Sequence, residues 1–319
     1  MFQNMDYIYE VYKEKSFSRA AKNLYLSQSS LSLTVKSAEK RIGMEIFDRS
    51  QNPIRLTEFG EHYIRAVEEI RGIESRLENY IYDTNHLKMG SISIGAGNFF
   101  ATYLVPPAVS AFREKYPNIQ MKLIEGRTLD LAEELNKGNI DALLTNGSLD
   151  SSAFASRILF KEHMVLAVPR RFFKEPPSAA SLLTGEILMD DRLFEERPGA
   201  CLDNFLEVPF ISLRPGNDSR IRWERLFASA HKKPKVLLEL DQSSTAFSMA
   251  VSGIGACMVG DTIAKYRGIS DSIWLYKLEG PEAERNVVVY TKEKEYISRA
   301  MEEFIRILAC GRNGIYKNK

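Results

Sequence analysis

Residues 18–42, SRAAKNLYLSQSSLSLTVKSAEKRI, hold two helical patterns separated by a short turn. Ser16 or Ser18 is placed to cap a helix over Ser18–Leu24, where the paired Ala20 and Ala21 let another helix cross closely. Tyr25 and Leu26 turn the chain, and Ser27 caps a third helix running to about Arg41. At 100° per residue, Leu31, Val35, Ala38 and Ile42 share one side of that helix and form its core face. Ser29, Ser32, Leu33, Lys36 and Lys40 lie on the other side. Two short helices joined by a tight turn make a helix-turn-helix. Short hydroxyls near a helix start, with lysines farther along, suit a helix laid in the major groove: small side chains permit close approach, and cations meet phosphate. Ser18, Ser27 and Ser30 belong to the same set of hydroxyls, and Gln28 in the first turn is placed to pair bidentately with adenine.

Upstream, Met5, Ile8, Tyr9 and Tyr12 recur at helical spacing and give a first helix over residues 4–15. Downstream of Gly43, Glu45–Arg49 and Ile54–Thr57 flank Ser50-Gln51-Asn52-Pro53, which reads as a two-stranded wing with a polar tip at Asn52 and with Arg49 and Arg55 set to clamp the backbone. Whole-chain charge is nearly balanced, with 43 Lys+Arg against 42 Asp+Glu, but it is segregated. Lys13–Arg55 carries nine basic and four acidic residues, whereas Leu56–Lys88 carries four and seven. A local basic excess is what a phosphate backbone attracts; an unevenly charged solvated surface is the alternative reading of charge alone.

Ser18-Arg19-Ala20-Ala21, Leu24, Ser27-Gln28-Ser29-Ser30-Leu31-Ser32, Ile46-Phe47-Asp48-Arg49 and Leu56-Thr57-Glu58-Phe59-Gly60 together resemble, in order and spacing, the winged helix-turn-helix of LysR-type transcriptional regulators. The family usually has Pro-Ala where Ser29-Ser30 stands, and a basic or amide residue where Leu33 stands. Leu33 therefore offers apolar contact, for instance to a thymine methyl. The resemblance implies a cytoplasmic regulator of transcription that binds a roughly two-fold site in double-stranded DNA, forms dimers and tetramers that bend it, responds to a small molecule and acts on RNA polymerase.

From Thr57 to His86 no proline intervenes, and Tyr63, Ala66, Ile70, Ile73, Leu77, Tyr80 and Thr84 recur at alternating three and four residues, a coiled-coil seam. Thr57 caps this helix, with Glu58 and Glu61 favourable in its first turn. A helix of roughly 28 residues is about 42 Å long, too long to bury its seam in a small module. Pairing with a second chain is the expectation, as the resemblance also implies, and packing on its own protein is the alternative.

From Gly90 the period changes. Strands are expected at Ser91–Gly95, Gln120–Glu125 and Ile140–Thr145, with helices over 100–116 and Thr128–Lys137. A second unit repeats the alternation: Phe210–Leu213, helix Asp218–Ala230, Pro234–Glu239, helix Ser243–Val251, Gly255–Val259. Glu162–Pro169 reads as a crossover strand and Asn286–Thr291 as a return strand before a last helix, Ile297–Leu308. Two α/β lobes joined by two strands make a hinged clamshell. It resembles the family's effector-binding domain, with Met249–Gly255 matching its second-lobe pattern. Residues 172–208 exceed an ordinary connection and read as an insertion.

The fold class is therefore α+β multidomain: an N-terminal winged helix-turn-helix (residues 1–60), a long linker helix for dimerisation (57–87), then a two-lobed α/β effector-binding domain resembling periplasmic binding proteins. Its first lobe spans 90–164 and 290–310, its second 165–289. Ligands in such sheets bind beyond the carboxyl ends of the strands, at helix N-termini. The candidates are Asn98 and Phe99, Gly126 and Thr128, Thr145 and Asn146 in the first lobe, and Arg214 and Asn217, Gln242 and Ser243 in the second. Asn98 stands near the effector-binding Ser or Thr of the resembled family. These amides and hydroxyls favour a small polar or carboxylated molecule, with Arg127 or Arg214 adding a cation. For each alone, an ordinary cap or turn is the alternative.

Gly95-Ala96-Gly97 supports a rival enzyme reading, because it follows a strand and opens a helix as in a dinucleotide-binding unit. Phe100 fills the place of the third glycine and opposes NAD. No P-loop or Gly-x-Ser-x-Gly motif occurs, and His62, His86, His163 and His231 lack metal-ligand spacing, reading as surface or capping residues. No cofactor and no catalytic residue is expected. Cys201, Cys257 and Cys310 form no Cys-x-x-Cys and suit a reducing compartment. No stretch approaches the roughly 20 apolar residues of a membrane span, and the N-terminal stretch lacks a secretory pattern. A solute-binding protein using the same clamshell is opposed by that start and by the basic module.

Overall fold

The computed structural model describes residues 1–51, 53–84, 90–150, 152–229, 234–293 and 296–314. Two compact units are present, the first built from residues 1–81 and the second chiefly from those that follow.

In the first unit, α1 (Met5–Glu14), α2 (Phe17–Asn23) and α3 (Gln28–Ile42) are followed by a wing of β1 (Phe47–Asp48) and β2 (Arg55–Leu56), then α4 (Glu58–Thr84). Helix α2 starts one residue earlier than its sequence pattern indicates, because Ser16 and not Ser18 is the cap: its side chain accepts from the Arg19 amide. Ser18 lies inside the helix and is exposed. The turn residue Tyr25 adopts φ 54°, a left-handed conformation that costs a non-glycine residue of order 1 kcal/mol. The wing strands are two residues each, shorter than the apolar pattern, and pair antiparallel with Phe47 opposite Leu56. Ile8, Val11, Ala20, Leu31, Val35, Ala38, Ile46 and Phe47 fill the core.

Helix α4 is capped by Thr57, whose hydroxyl accepts from the Gly60 amide at 2.9 Å. A β-carbon at Gly60 would stand 2.1 Å from the Ile46 carbonyl oxygen, so wing and helix approach as closely as they do only through glycine. The N-terminal part of α4 belongs to the core: Tyr63, read from the sequence as a seam residue, is 3% exposed there beside Ile64 and Val67. Ala66 and Ile70 are half-buried, while Ile73, Leu77, Tyr80 and Ile81 are exposed by more than half. The Thr84 side chain lies outside the described residues.

In the second unit, lobe I holds β3 (Gly90–Ala96), α5 (Asn98–Tyr103), α6 (Val105–Lys115), β4 (Ile119–Glu125), α7 (Thr128–Lys137) and β5 (Ala142–Thr145). The single helix expected over 100–116 is two. Pro106 and Pro107 supply no N–H, so they are tolerated only where a helix begins, and α6 starts at Val105. Strand β6 (Phe154–Pro169) runs through both lobes and is twice the expected length. Lobe II follows with β7 (Leu182–Leu183), α8 (Gly185–Met189), α9 (Asp191–Glu195), β8 (Phe210–Leu213), α10 (Asp218–Ser229), β9 (Val236–Leu240), α11 (Ser243–Val251), β10 (Cys257–Gly260), α12 (Asp261–Arg267) and β11 (Ile273–Lys277). Strand β12 (Glu284–Lys292) returns to lobe I and leads to α13 (Arg299–Gly314).

The lobe I sheet runs β4-β3-β5-β12-β6, with β3 parallel to β4 and β5 and with β12 antiparallel to its neighbours. Val288–Tyr290 of β12 already pair with β5, so the return crossing precedes residue 290. Beyond His163, β6 pairs with β10 and β11, while β8 lies parallel to β9 and makes an isolated bridge from Phe210 to Ala256, just before β10. Val165 and Ala167 of β6 enter one lobe II core and Met164, Leu166 and Val168 the other, the period of two expected of a strand covered on both faces.

Lobe II holds more than its sequence pattern indicates. Residues 172–208, read as an insertion, are part of the lobe: Leu183, Ile187, Leu188 and Phe194 enter one core and Phe205 and Val208 the other, and β7 extends the sheet beside β11. Helix α12 and strand β11 had no counterpart in the sequence reading, although Ile273-Trp-Leu-Tyr-Lys277 is buried throughout. No helix among the described residues is long and apolar enough to cross a membrane.

Candidate nucleic-acid interface and effector cleft

Helix α3 is held by its inner face and free on its outer one. Leu31, Val35 and Ala38 are fully buried, whereas Gln28, Ser29, Ser30, Lys36 and Lys40 are exposed, Leu33 is 69% exposed and Ser32 half-buried. Ser27 caps the helix at the Ser30 amide (3.1 Å), and its oxygen lies 3.0 Å from the Ser29 hydroxyl. Among the described residues, Lys36 and Lys40 carry no ion pair, which leaves two cations on this face. Tyr25, at 97% exposure, stands in the turn just before the helix. The sequence reading gave it only a turning role, and its left-handed φ is a tertiary fact without a local signal.

The wing arginines part company. Arg55 is exposed, but Arg49 is a structural residue: its guanidinium meets Glu39 at 2.7 Å and lies 5.1 Å over the Phe17 ring. Glu39 was missed, because a glutamate in an amphipathic helix reads as solvated. It is 7% exposed and accepts from the Ile46 and Phe47 amides at 2.9 and 3.2 Å, tying the wing to α3. Glu39→Ala strands both amides and is expected to cost about 1–3 kcal/mol locally. Amide hydrogen exchange at Ile46 and Phe47 measures it, and unchanged protection contradicts the role. At the wing tip Asp48 accepts from the Ser50 hydroxyl and amide and from Gln51, bonds that hold its carboxyl below the ordinary value. Asn52 lies outside the described residues.

In the second unit the strand ends carry the expected polar groups, several already engaged. Asn98 donates its amide to Glu125 at the end of β4 (2.7 Å). Phe99 packs against the cores of both lobes. The Gly126 amide donates to the Ala96 carbonyl, and Arg127 is held by Asp130. The Thr128 and Thr145 hydroxyls stand 3.0 Å apart, and Thr145 also accepts from the Gly147 amide. In lobe II, Arg214 pairs with Asp241 at 3.3 Å, Asn217 accepts from the Ser219 amide, Gln242 precedes α11 without capping it, and Ser243 is half-buried. The structure thus gathers Thr128 with Thr145. Arg127 and Arg214 each have an acidic partner.

A buried ion network links the lobes where β6 and β12 cross. Arg285 of β12, 8% exposed, meets Glu162 of β6 at 2.6 Å, and Asp218 (3.0 Å) and Ser219 (2.9 Å) in the first turn of α10. With its amide oxygen turned to it, Asn146 accepts from the same guanidinium at 2.7 and 3.2 Å. Burial acts to lower the Arg285 pKa, but the Glu162 and Asp218 carboxylates outweigh it and raise the value. A β-carbon at Gly260 would stand 2.2 Å from Glu162 Oε1, so glycine makes room for the carboxylate.

His163, expected at the surface or as a cap, is 8% exposed. Its Nε2 faces Glu195 and its Nδ1 faces Glu284, each at 3.8 Å. The three form a cluster of metal-ligating types that no sequence spacing could announce. The carboxylates address opposite ring nitrogens, however, and their outer oxygens lie near Lys277 and Lys161, so each already has a cationic partner. His62 is exposed beside Arg65, and His86 and His231 lie outside the described residues. Cys257 is buried, which pushes its thiol up to about 12, while Cys201 and Cys310 are exposed.

Comparison with known proteins matches these units. A family model described as "Bacterial regulatory helix-turn-helix protein, lysR family" matches residues 2–61, and one described as "LysR substrate binding domain" matches residues 85–311. A curated Bacillus subtilis protein, "Uncharacterized HTH-type transcriptional regulator YcgK", is 26% identical over 306 residues, 95% of this chain and 92% of its own. Among solved structures, full-length CbnR in complex with its target DNA has a TM-score of 0.66 at 16% identity, covering 98% of this chain and 99% of that one. A full-length OxyR variant from Pseudomonas aeruginosa has the same TM-score at 21% identity, covering 96% and 92%. With a DNA-binding unit and an effector-binding unit matched in order along its length, the chain belongs to the LysR family of transcriptional regulators.

Proposed function

We propose that the chain acts as a cytoplasmic homo-oligomer whose paired α3 helices enter successive major grooves of a roughly two-fold operator, one helical turn or a multiple of it apart. The observation that carries this is the outer face of α3, where Gln28, Ser29, Leu33, Lys36 and Lys40 are exposed opposite a fully buried face. Gln28 and Ser29 read base edges, Leu33 meets a thymine methyl, and Ser32 approaches closely. Lys36, Lys40 and Arg55 neutralise phosphate, with Ser18, Ser27 and Ser30 beside them; Asn52 of the wing tip, outside the described residues, is proposed to join them. Ala66, Ile70, Ile73, Leu77 and Tyr80 of α4 supply the dimer seam. The relation to CbnR, solved with its target DNA, supports this placement.

The lobes take a small polar or carboxylated effector against the Thr128–Thr145 hydroxyls, the α7, α10 and α11 N-termini, Asn98 and Phe99. Its binding shifts the disposition of the dimers only by preferring one arrangement. The role is regulation through RNA polymerase and not catalysis. Selection of bound fragments from the host's genomic DNA across a salt series tests the reading: a shared two-fold motif supports it, and retention without any motif overturns it. Lys36→Ala is expected to weaken binding to all sequences alike and to flatten the salt slope by about one unit. An unchanged slope removes Lys36 from the interface.

A further inference from the structure

On lobe I, at the C-terminal end of α6, a cavity of about 580 Å³ opens against α13 and Arg157 of β6. Because β3 and β4 are parallel, the connecting helices run back along the sheet, so Lys115 and Tyr116 lie at the opposite end of this β–α–β unit from Asn98 and the cleft. The rim is cationic. Arg157, Arg299 and Arg306 line the cavity with Glu302 and Glu303, and Lys115 also bonds Glu303; Arg157, Arg306 and Lys115 alone set three cations against these two carboxylates.

Both carboxylates are already held in forked pairs: Arg157 grips Glu302 at 2.9 and 3.0 Å, and Arg306 grips Glu303 at 2.9 and 2.7 Å. Arg306 and Lys115 together draw the Glu303 carboxyl down to about 2, so the pair stays charged across the physiological range. Each guanidinium has five N–H groups. The forks use two, leaving three on Arg157 and three on Arg306 without a partner among the described residues. The remaining wall is apolar, formed by Ile305, Ala309 and the Tyr116 ring, which packs 5.0 Å from Phe112.

We infer that this cavity is a second small-molecule site, separate from the cleft, that takes an organic anion: a carboxylate or phosphate head on the arginine rim with an apolar body against Tyr116 and Ala309. The positive excess attracts the head, and the oriented, unused N–H groups of Arg157 and Arg306 bond it.

Calorimetric titration of the full-length protein with phenylacetate and with phenyl phosphate, at low ionic strength, tests the site and separates the two heads. Binding of at least one probe is expected, weakened tenfold or more in both Arg157→Gln and Arg306→Gln. Both arginines are exposed, and Glu303 keeps Lys115 when Arg306 is replaced, so matched circular dichroism is expected to show that both variants fold. Thr128→Val, in the cleft, is expected to leave that binding intact. Failure of both probes to bind the wild type, or binding lost in Thr128→Val and kept in the arginine variants, overturns the inference.

Discussion

Arg285→Met is expected to lower the stability of the second unit by about 3–5 kcal/mol, the usual cost of removing one partner from a buried ion pair. Glu162 is 1% exposed and would be left charged without its guanidinium. Asp218 would suffer less, because it is half-buried and keeps Arg222 at 2.9 Å. The asymmetry gives a second result: Arg285→Met combined with Glu162→Met recovers part of the loss, since no buried charge then lacks a partner. Urea unfolding followed by circular dichroism measures both variants. A single-variant loss under 1 kcal/mol would show that Glu162 finds water or another donor. The network joins both crossing strands to α10 and Asn146, so loosening it is also expected to alter any effector response.

Ile73→Asp with Leu77→Asp is expected to convert the oligomer to monomer and to lower operator affinity by about 10²–10⁴-fold, the advantage that a second linked half-site confers. Both side chains are more than half exposed on α4, whose N-terminal turns are fixed by Thr57, Gly60 and Tyr63. The substitutions therefore leave the core of the first unit untouched. Sedimentation velocity gives the mass and a fluorescence titration the affinity. An unchanged mass would remove α4 as the seam and place oligomer contacts elsewhere.

The helix-turn-helix was legible because its information is local. A capping serine, an alanine pair and an apolar face at helical spacing each depend on neighbours within a few residues, and α3 follows its pattern to within one residue. The alternation of strands and helices was legible for the same reason. Residues 172–208 were not, since short helices and single-turn elements carry no sustained period, and their apolar residues gain meaning only against β11 and α12. The break between α5 and α6 lay in plain view at Pro106-Pro107, a local signal passed over.

By itself the sequence determined the order of units, the caps, the buried faces and the family, all properties of spacing along the chain. Only the tertiary structure decided which charges are structural. Glu39 and Arg49, ten residues apart, and Glu162 and Arg285, 123 apart, look like any surface residues until folding removes their water and leaves each other as partners. Tyr63 moved from seam to core, and Asn146 and Asn98 from free ligands to engaged ones, for the same reason. A side chain's neighbours across the fold, not along the chain, set what it is free to bind.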